Sequence, residues 1–268
     1  MIGVIGCGNM ASAIVTGMHE KFPLEKFLTY TPSFTRAEEL AKKVGGKAVK
    51  ELSELQECEY LLIGCKPQQF SDLADGLKRE LPSVDQKYIV SMMAAVSIDS
   101  ITKKLGSKEV TRVMPNTPIR HGEGISLLLH TGDDSNEKVA HITKLFKACS
   151  HVYTMKNEEQ FDKVTTVSGS GPAYIFYLAD ILSQSLKGWG MQEQEATELA
   201  IQLMKGSVEL MSHRGDVSLS QLVDQVTSKK GVTIEAVEVF KNQGLPELVE
   251  KALGAACNRS LEMTKEFS

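Results

Sequence analysis

The chain opens on Met1-Ile2-Gly3-Val4-Ile5 and passes at once into Gly6-Cys7-Gly8-Asn9-Met10-Ala11, an apolar run followed by the pattern G-x-G-x-x-A. Few hexapeptides restrict a fold so tightly. Gly6 allows a sharp turn out of a strand, Gly8 lets the backbone approach a pyrophosphate, and small Ala11 lets the next helix pack against the strand. A pyrophosphate held by Gly6, Cys7, Gly8, Asn9, Met10 and Ala11 would rest on free amides at the positive end of a helix reaching about Lys21. The motif thus predicts a strand–turn–helix unit that binds a dinucleotide.

The rest of the chain agrees with that start. Met1–Ile5, Phe27–Tyr30, Tyr60–Ile63, Tyr88–Ser91, Val110–Met114 and Ser126–His130 read as strands alternating with helical patterns, which predicts a mostly parallel sheet with helices on its faces. Thr35-Arg36-Ala37-Glu38 has the form of a capping box opening the helix after the second strand. Beyond Tyr153 the pattern changes. No proline separates Pro172 from Pro246, and Ala196, Leu199, Ala200, Leu203 and Leu210 keep helical spacing. Both prolines sit where a helix can begin without losing a hydrogen bond. The expected fold is an α/β Rossmann-type dinucleotide-binding domain over residues 1–155, followed by an all-α dimerisation domain over residues 156–268.

Composition narrows the function. Thirty basic residues against 34 acidic ones leave a formal charge of −4, without the clustered positive excess that a nucleic-acid partner requires. No apolar run reaches the roughly 18 to 20 residues that cross a bilayer, so no membrane partner is expected. Cys7, Cys58, Cys65, Cys149 and Cys257 are scattered, with no C-x-x-C pair and no histidine at ligand spacing. Neither a metal nor a disulfide framework is expected, and the thiols read as small buried hydrophobes in a reducing compartment. No basic, apolar and cleavable leader opens the sequence, which points to a cytoplasmic location.

Which dinucleotide fits is decided at the end of the second strand, where an acidic residue would hold the adenosine ribose of NAD. The chain has Thr31-Pro32-Ser33-Phe34-Thr35-Arg36 there, with no carboxylate before Glu38. Ser33 and Arg36 can hydrogen-bond a 2′-phosphate, so NADP(H) is favoured and NAD(H) is possible.

Four further segments, read together, resemble the pyrroline-5-carboxylate reductase family, which reduces a cyclic imine to L-proline with NAD(P)H. They are Gly64-Cys65-Lys66-Pro67-Gln68, Arg112-Val113-Met114-Pro115-Asn116-Thr117-Pro118, Ser168-Gly169-Ser170-Gly171-Pro172-Ala173-Tyr174, and Asp224-Gln225-Val226-Thr227-Ser228-Lys229-Lys230-Gly231-Val232-Thr233. Their order and spacing cover nearly the whole chain. The resemblance implies that Cys65, Lys66 and Pro67 border the cofactor, that Ala94 and Asn116 lie toward its nicotinamide end, and that Gln225 also contacts it. Glu158, Ser228, Gly231, Val232 and Thr233 would face pyrroline-5-carboxylate, with Thr233 the catalytic hydrogen-bonding group at the ring nitrogen. A homodimer, or a larger homo-oligomer built from dimers, is implied as well.

Imine reduction demands little acid–base machinery, since positioning two reactants and stabilising charge supply most of the catalysis. The helix start after Ser228–Thr233 offers free amides for the substrate carboxylate. The sequence departs from the family in three places. Ser228-Lys229-Lys230-Gly231 stands where Ser-Pro-Gly-Gly is usual, Ala95 where glycine is common, and Glu51 where an asparagine often meets the cofactor. A related reductase of another imine or of a β-hydroxy acid, or a cofactor-binding paralogue with a regulatory role, are the alternatives. The β-hydroxy acid chemistry would need a lysine base in the helix after the domain junction, and Ser168–Lys187 has none before Lys187.

Overall fold

The computed structural model describes residues 1–133, 135–228 and 231–267. It contains two compact units, one comprising Met1–Ser170 and Ala256–Ser268, the other Gly171–Ala255.

The first unit opens with strand β1 (Ile2–Ile5), helix α1 (Asn9–Lys21), β2 (Phe27–Tyr30), α2 (Thr35–Lys43) and the two-residue β3 (Lys47–Ala48). It continues through β4 (Tyr60–Ile63), α3 (Phe70–Glu80), β5 (Tyr88–Ser91), α4 (Ile98–Leu105), β6 (Val110–Pro115) and β7 (Gly124–His130), and then α5 (Glu137–Lys147), β8 (Ser150–Thr154) and α6 (Glu158–Ser168). The strands form one sheet in the order β3-β2-β1-β4-β5-β6-β7-β8. Neighbours are parallel except β6 and β7, so the last two strands run against the other six.

Burial explains why the strands read as unbroken apolar runs. Both sheet faces are covered, and every residue of β1, β4 and β5 is buried. Within β1, Ile2 and Val4 join a core with Ile14, Val15 and Phe146, while Ile5 joins Leu61, Leu77 and Ile101. Each such side chain removed from water contributes about 1.5–3 kcal/mol. Small residues set the spacing: a Cβ on Gly17 of α1 would stand 2.7 Å from Cys149 Cβ. Phe161 of α6 is buried with Leu127 and Leu129 of β7, so α6 belongs to the α/β unit.

Helix starts follow their caps. Ser97 accepts from the Ser100 amide, Asn136 from those of Lys138 and Val139, and Asn157 from that of Gln160. Thr35 does not do the same for α2. Its hydroxyl bonds back to the Ser33 carbonyl at 3.2 Å, Phe34 is the N-cap, and Glu38 pairs with Lys42. The expected capping box is therefore not formed. A tight turn takes its place, in which the Thr35 amide donates to Ser33 across Phe34 at φ 56.

The second unit holds α7 (Gly171–Gly188), α8 (Glu193–Ser212), α9 (Leu219–Val226), α10 (Val232–Asn242) and most of α11 (Leu245–Phe267). Pro172 and Pro246 lie in the first turns of α7 and α11, as their placement predicts. Ser183 of α7 and Thr197 of α8 join hydroxyls at 3.2 Å. Among the described residues, no helix is long and apolar enough to cross a membrane.

Candidate active site

The strand order reverses between β1 and β4, and parallel sheets bind ligands beyond the carboxyl ends of strands at such a switch point. There Gly6 takes φ 91, and a Cβ on it would stand 2.8 Å from the Gly64 carbonyl carbon. A Cβ on Gly64 would in turn meet Met92 Cε at 2.9 Å and Ala11 Cβ at 3.3 Å. The turns after β1 and β4 are thus stacked with no room for a side chain on Gly6 or Gly64, under Met92 of the turn after β5. Gly8 is the opposite case: a Cβ placed on it would meet nothing within 4 Å, so open space lies beside its backbone.

Helix α1 begins at that open side. Gly8 is its N-cap, no side chain caps it, and its first turn carries no acidic residue. The uncapped amides and the helix dipole leave a positive terminus suited to a pyrophosphate. Asn9 is exposed and Met10 half-buried, while Cys7 and Ala11 are buried and serve packing. At the end of β2, Ser33 and Arg36 are exposed. Glu51 is also exposed, at the start of the 3-10 turn Leu52–Glu57. These features fit a dinucleotide laid along the carboxyl edge.

Cys65, Lys66 and Pro67 follow β4, with Lys66 exposed. Cys65 Sγ lies 3.5 Å from Met93 Sδ, and burial pushes its thiol up to about 11, as it does for Cys7 and Cys58; Cys149 reaches about 12. A thiol so raised stays neutral near pH 7 and is a poor nucleophile. Ala94 is exposed on the loop after β5. Beside it, Ala95 is buried and adopts φ 59, the left-handed region that glycine occupies without strain.

Asn116 is 5% exposed and fully engaged by protein: its amide donates to the Ser168 carbonyl at 2.9 Å, and its oxygen accepts from the Ile125 amide at 2.8 Å. It is a clasp between β6, β7 and the end of α6. Glu158, expected to face the substrate, has both oxygens occupied within the unit. One accepts from the Ile98 amide at 2.7 Å and the other pairs with Arg112.

Arg112 was legible only as one letter of a motif. It is 1% exposed on β6, bonds Asp162 at 3.3 Å as well as Glu158, and lies 4.4 Å from the Phe161 ring centroid. Burial is the larger influence on Asp162, pushing its carboxyl up against the opposing pull of Arg112, and Glu158 adds to the rise. A buried arginine is seldom foreseen in a strand.

Gln225, Ser228, Gly231, Val232 and Thr233 form a second group, at the junction of α9 and α10. The Gly231 amide donates to the Ser228 carbonyl at 2.9 Å, and a Cβ on Gly231 would collide with the Ser228 hydroxyl. Gly231 is the N-cap of α10, again without a side-chain cap, which places Val232 and Thr233 in the first turn with free amides. Gln225, Ser228, Val232 and Thr233 are exposed. Lys229 and Lys230, where the loop departs from the family pattern, lie outside the described residues.

Comparison with known proteins bears on both groups. Residues 158–263 match the family described as pyrroline-5-carboxylate reductase dimerisation, and residues 1–95 that described as NADP oxidoreductase, coenzyme F420-dependent. The pyrroline-5-carboxylate reductase of Haemophilus influenzae is 30% identical, the match covering 100% of this chain and 98% of that one. The solved structure of a pyrroline-5-carboxylate reductase from Coxiella burnetii aligns with a TM-score of 0.87 at 28% identity, covering 98% of this chain and 97% of the other. That of the Plasmodium falciparum pyrroline carboxylate reductase with NADP bound gives 0.82 at 26%, with the same coverage. With its whole length matched and its glycine crevice followed by the matching helical domain, the chain belongs to the pyrroline-5-carboxylate reductase family.

Proposed function

We propose that the chain reduces pyrroline-5-carboxylate to L-proline, the closing step of proline synthesis, with NADPH as the favoured reductant. The observation that carries this is the crevice of Gly6, Gly64 and Met92 beside the uncapped start of α1, in a chain matched from end to end by reductases of this imine. NADPH rather than NADH is favoured by the exposed Ser33 and Arg36 and by the lack of a carboxylate between Thr31 and Arg36. The relative from Plasmodium falciparum holds NADP. A β-hydroxy acid reductase is disfavoured because the helix following the junction offers only Lys187, which is bound to Glu193 at 3.0 Å.

When bound, the reduced nicotinamide supplies a hydride to the imine carbon. The residues of this chain do the rest. Lys66 and the turn Cys65–Pro67 would border the cofactor, and exposed Ala94 would offer a small surface toward its nicotinamide end. The amides of Val232 and Thr233, with Ser228 and Gly231 shaping the turn, take the substrate carboxylate, while the Thr233 hydroxyl donates to the ring nitrogen. Gln225, exposed at the end of α9, is the further cofactor contact that the family resemblance implies. Two copies pair through that unit. A cytoplasmic setting suits the five free thiols.

Following NADPH absorbance with pyrroline-5-carboxylate tests the activity. Binding of NADPH without turnover of this imine would leave a reductase of another imine or the regulatory-paralogue reading. Thr233→Val is expected to lower kcat by about tenfold or more while leaving NADPH affinity within about twofold. An equal loss of cofactor binding would remove Thr233 from the substrate.

A further inference from the structure

We infer that Arg112 and Glu158 are positioning residues for the loop 92–97 on the nicotinamide side, an inference that rests on the reductase reading above. The loop leaves β5 at the carboxyl edge and enters α4 at Ile98. Its near end is tied by the Met93 amide, which donates to Ser91 Oγ at 3.3 Å, and its middle is pinned by Met93 and Val96, 2% and 0% exposed. Between them Ala95 holds φ 59 and carries exposed Ala94. A left-handed alanine persists only where its surroundings over-determine it.

The far end is held from outside the loop. Glu158 Oε1 accepts the Ile98 amide at 2.7 Å, the first free amide of α4. Its other oxygen is claimed by Arg112, which stands on β6, the strand that also leads to Asn116. The adjacent Glu159, without such an anchor, pairs with Lys163 on the exposed side of α6. Arg112 thus converts one carboxylate of a charged surface run into a fixed acceptor, and the chain Arg112–Glu158–Ile98 sets where Ala94 and Ala95 stand. A shift of about 1 Å in a positioning element can cost on the order of 100-fold in rate, so the effect belongs in kcat.

Glu158→Ala, Glu158→Gln, Arg112→Lys and Asp162→Asn separate this role from its rivals. Glu158→Ala is expected to lower kcat about tenfold, with KM for the imine and Kd for NADPH within about twofold. Glu158→Gln keeps an acceptor for Ile98 and is expected to recover most of that loss. Arg112→Lys should fall between them, and Asp162→Asn should leave kcat near that of the unaltered chain. Amide hydrogen exchange gives a readout free of turnover: exchange at Ile98 should quicken in Glu158→Ala and less so in Glu158→Gln. A raised KM for the imine with kcat kept would make Glu158 a substrate contact. A fall in thermal midpoint with kcat kept, or Glu158→Gln as impaired as Glu158→Ala, would also overturn the inference. If the unaltered chain fails to turn over the imine, the reductase reading falls instead, and the exchange rate at Ile98 still decides whether the tie exists.

Discussion

Among the described residues, two outside glycine hold positive φ, Phe34 at 56 and Ala95 at 59, and each sits at a turn of the carboxyl edge. Ala95 is the more telling because its side chain is one methyl, so its strain is almost wholly that of the backbone. A left-handed alanine costs about 1–2 kcal/mol relative to an ordinary conformation, which glycine does not pay. Burial of the methyl, 6% exposed, offsets part of that gain with roughly 0.8 kcal/mol. Ala95→Gly is therefore expected to stabilise the folded chain slightly, by at most about 1 kcal/mol, read as a higher midpoint in urea with unchanged slope. Loss of stability instead would mean that the methyl packs better than the backbone is strained.

At the scale of elements, Asn116 shows how one side chain joins three pieces of structure. Asn116→Ala would leave the Ile125 amide and the Ser168 carbonyl without partners in a buried place, at about 1–3 kcal/mol each. The expected loss is roughly 3 kcal/mol in denaturant unfolding. Asn116→Asp keeps the acceptor for Ile125 but sets a buried carboxylate oxygen against the Ser168 carbonyl, so at neutral pH it should lose at least as much. Such clasps explain what was legible beforehand and what was not. The strands β1, β4 and β5 were plain because all four residues of each are buried and nearly all are apolar, and β2 because only Thr29 interrupts its apolar residues. By contrast β3 has two residues, one exposed, and β8 reads Ser-His-Val-Tyr-Thr with only Ser150 buried, so neither carries a pattern. The box Thr35–Glu38 had the right letters but the wrong partner, since the hydroxyl found a carbonyl two residues back. Gly6 and Gly8 were legible from spacing alone, and Gly64 only as part of a family motif. The tie of Glu158 to Ile98 spans 60 residues and could not be, because no local pattern encodes a partner so distant.

For the whole molecule the decisive fact is the second unit's lack of an interior. Among its described residues only Ser183, Ala196 and Ala200 are buried, whereas Phe176, Tyr177, Trp189, Ile201, Leu203 and Leu210 are each at least half exposed. An isolated exposed leucine such as Leu24, 93% exposed on the first unit, needs no explanation, but a surface of this extent does. A second copy of the same unit would cover it in a two-fold arrangement, where one substitution acts twice. Placing a carboxylate at Leu203 would forfeit about 1.5–3 kcal/mol of apolar burial per copy and bury a charge besides, so the pair loses on the order of 4 kcal/mol. At 1.4 kcal/mol per tenfold, that weakens the dimer by about 1,000-fold. Leu203→Asp is accordingly expected to lower the mass seen by light scattering toward the 29.4 kDa of one chain at micromolar concentration, with turnover falling in parallel. Leu24→Asp should leave both unchanged. A Leu203→Asp chain that kept its assembly and its rate would place the dimer contact elsewhere on the helical unit.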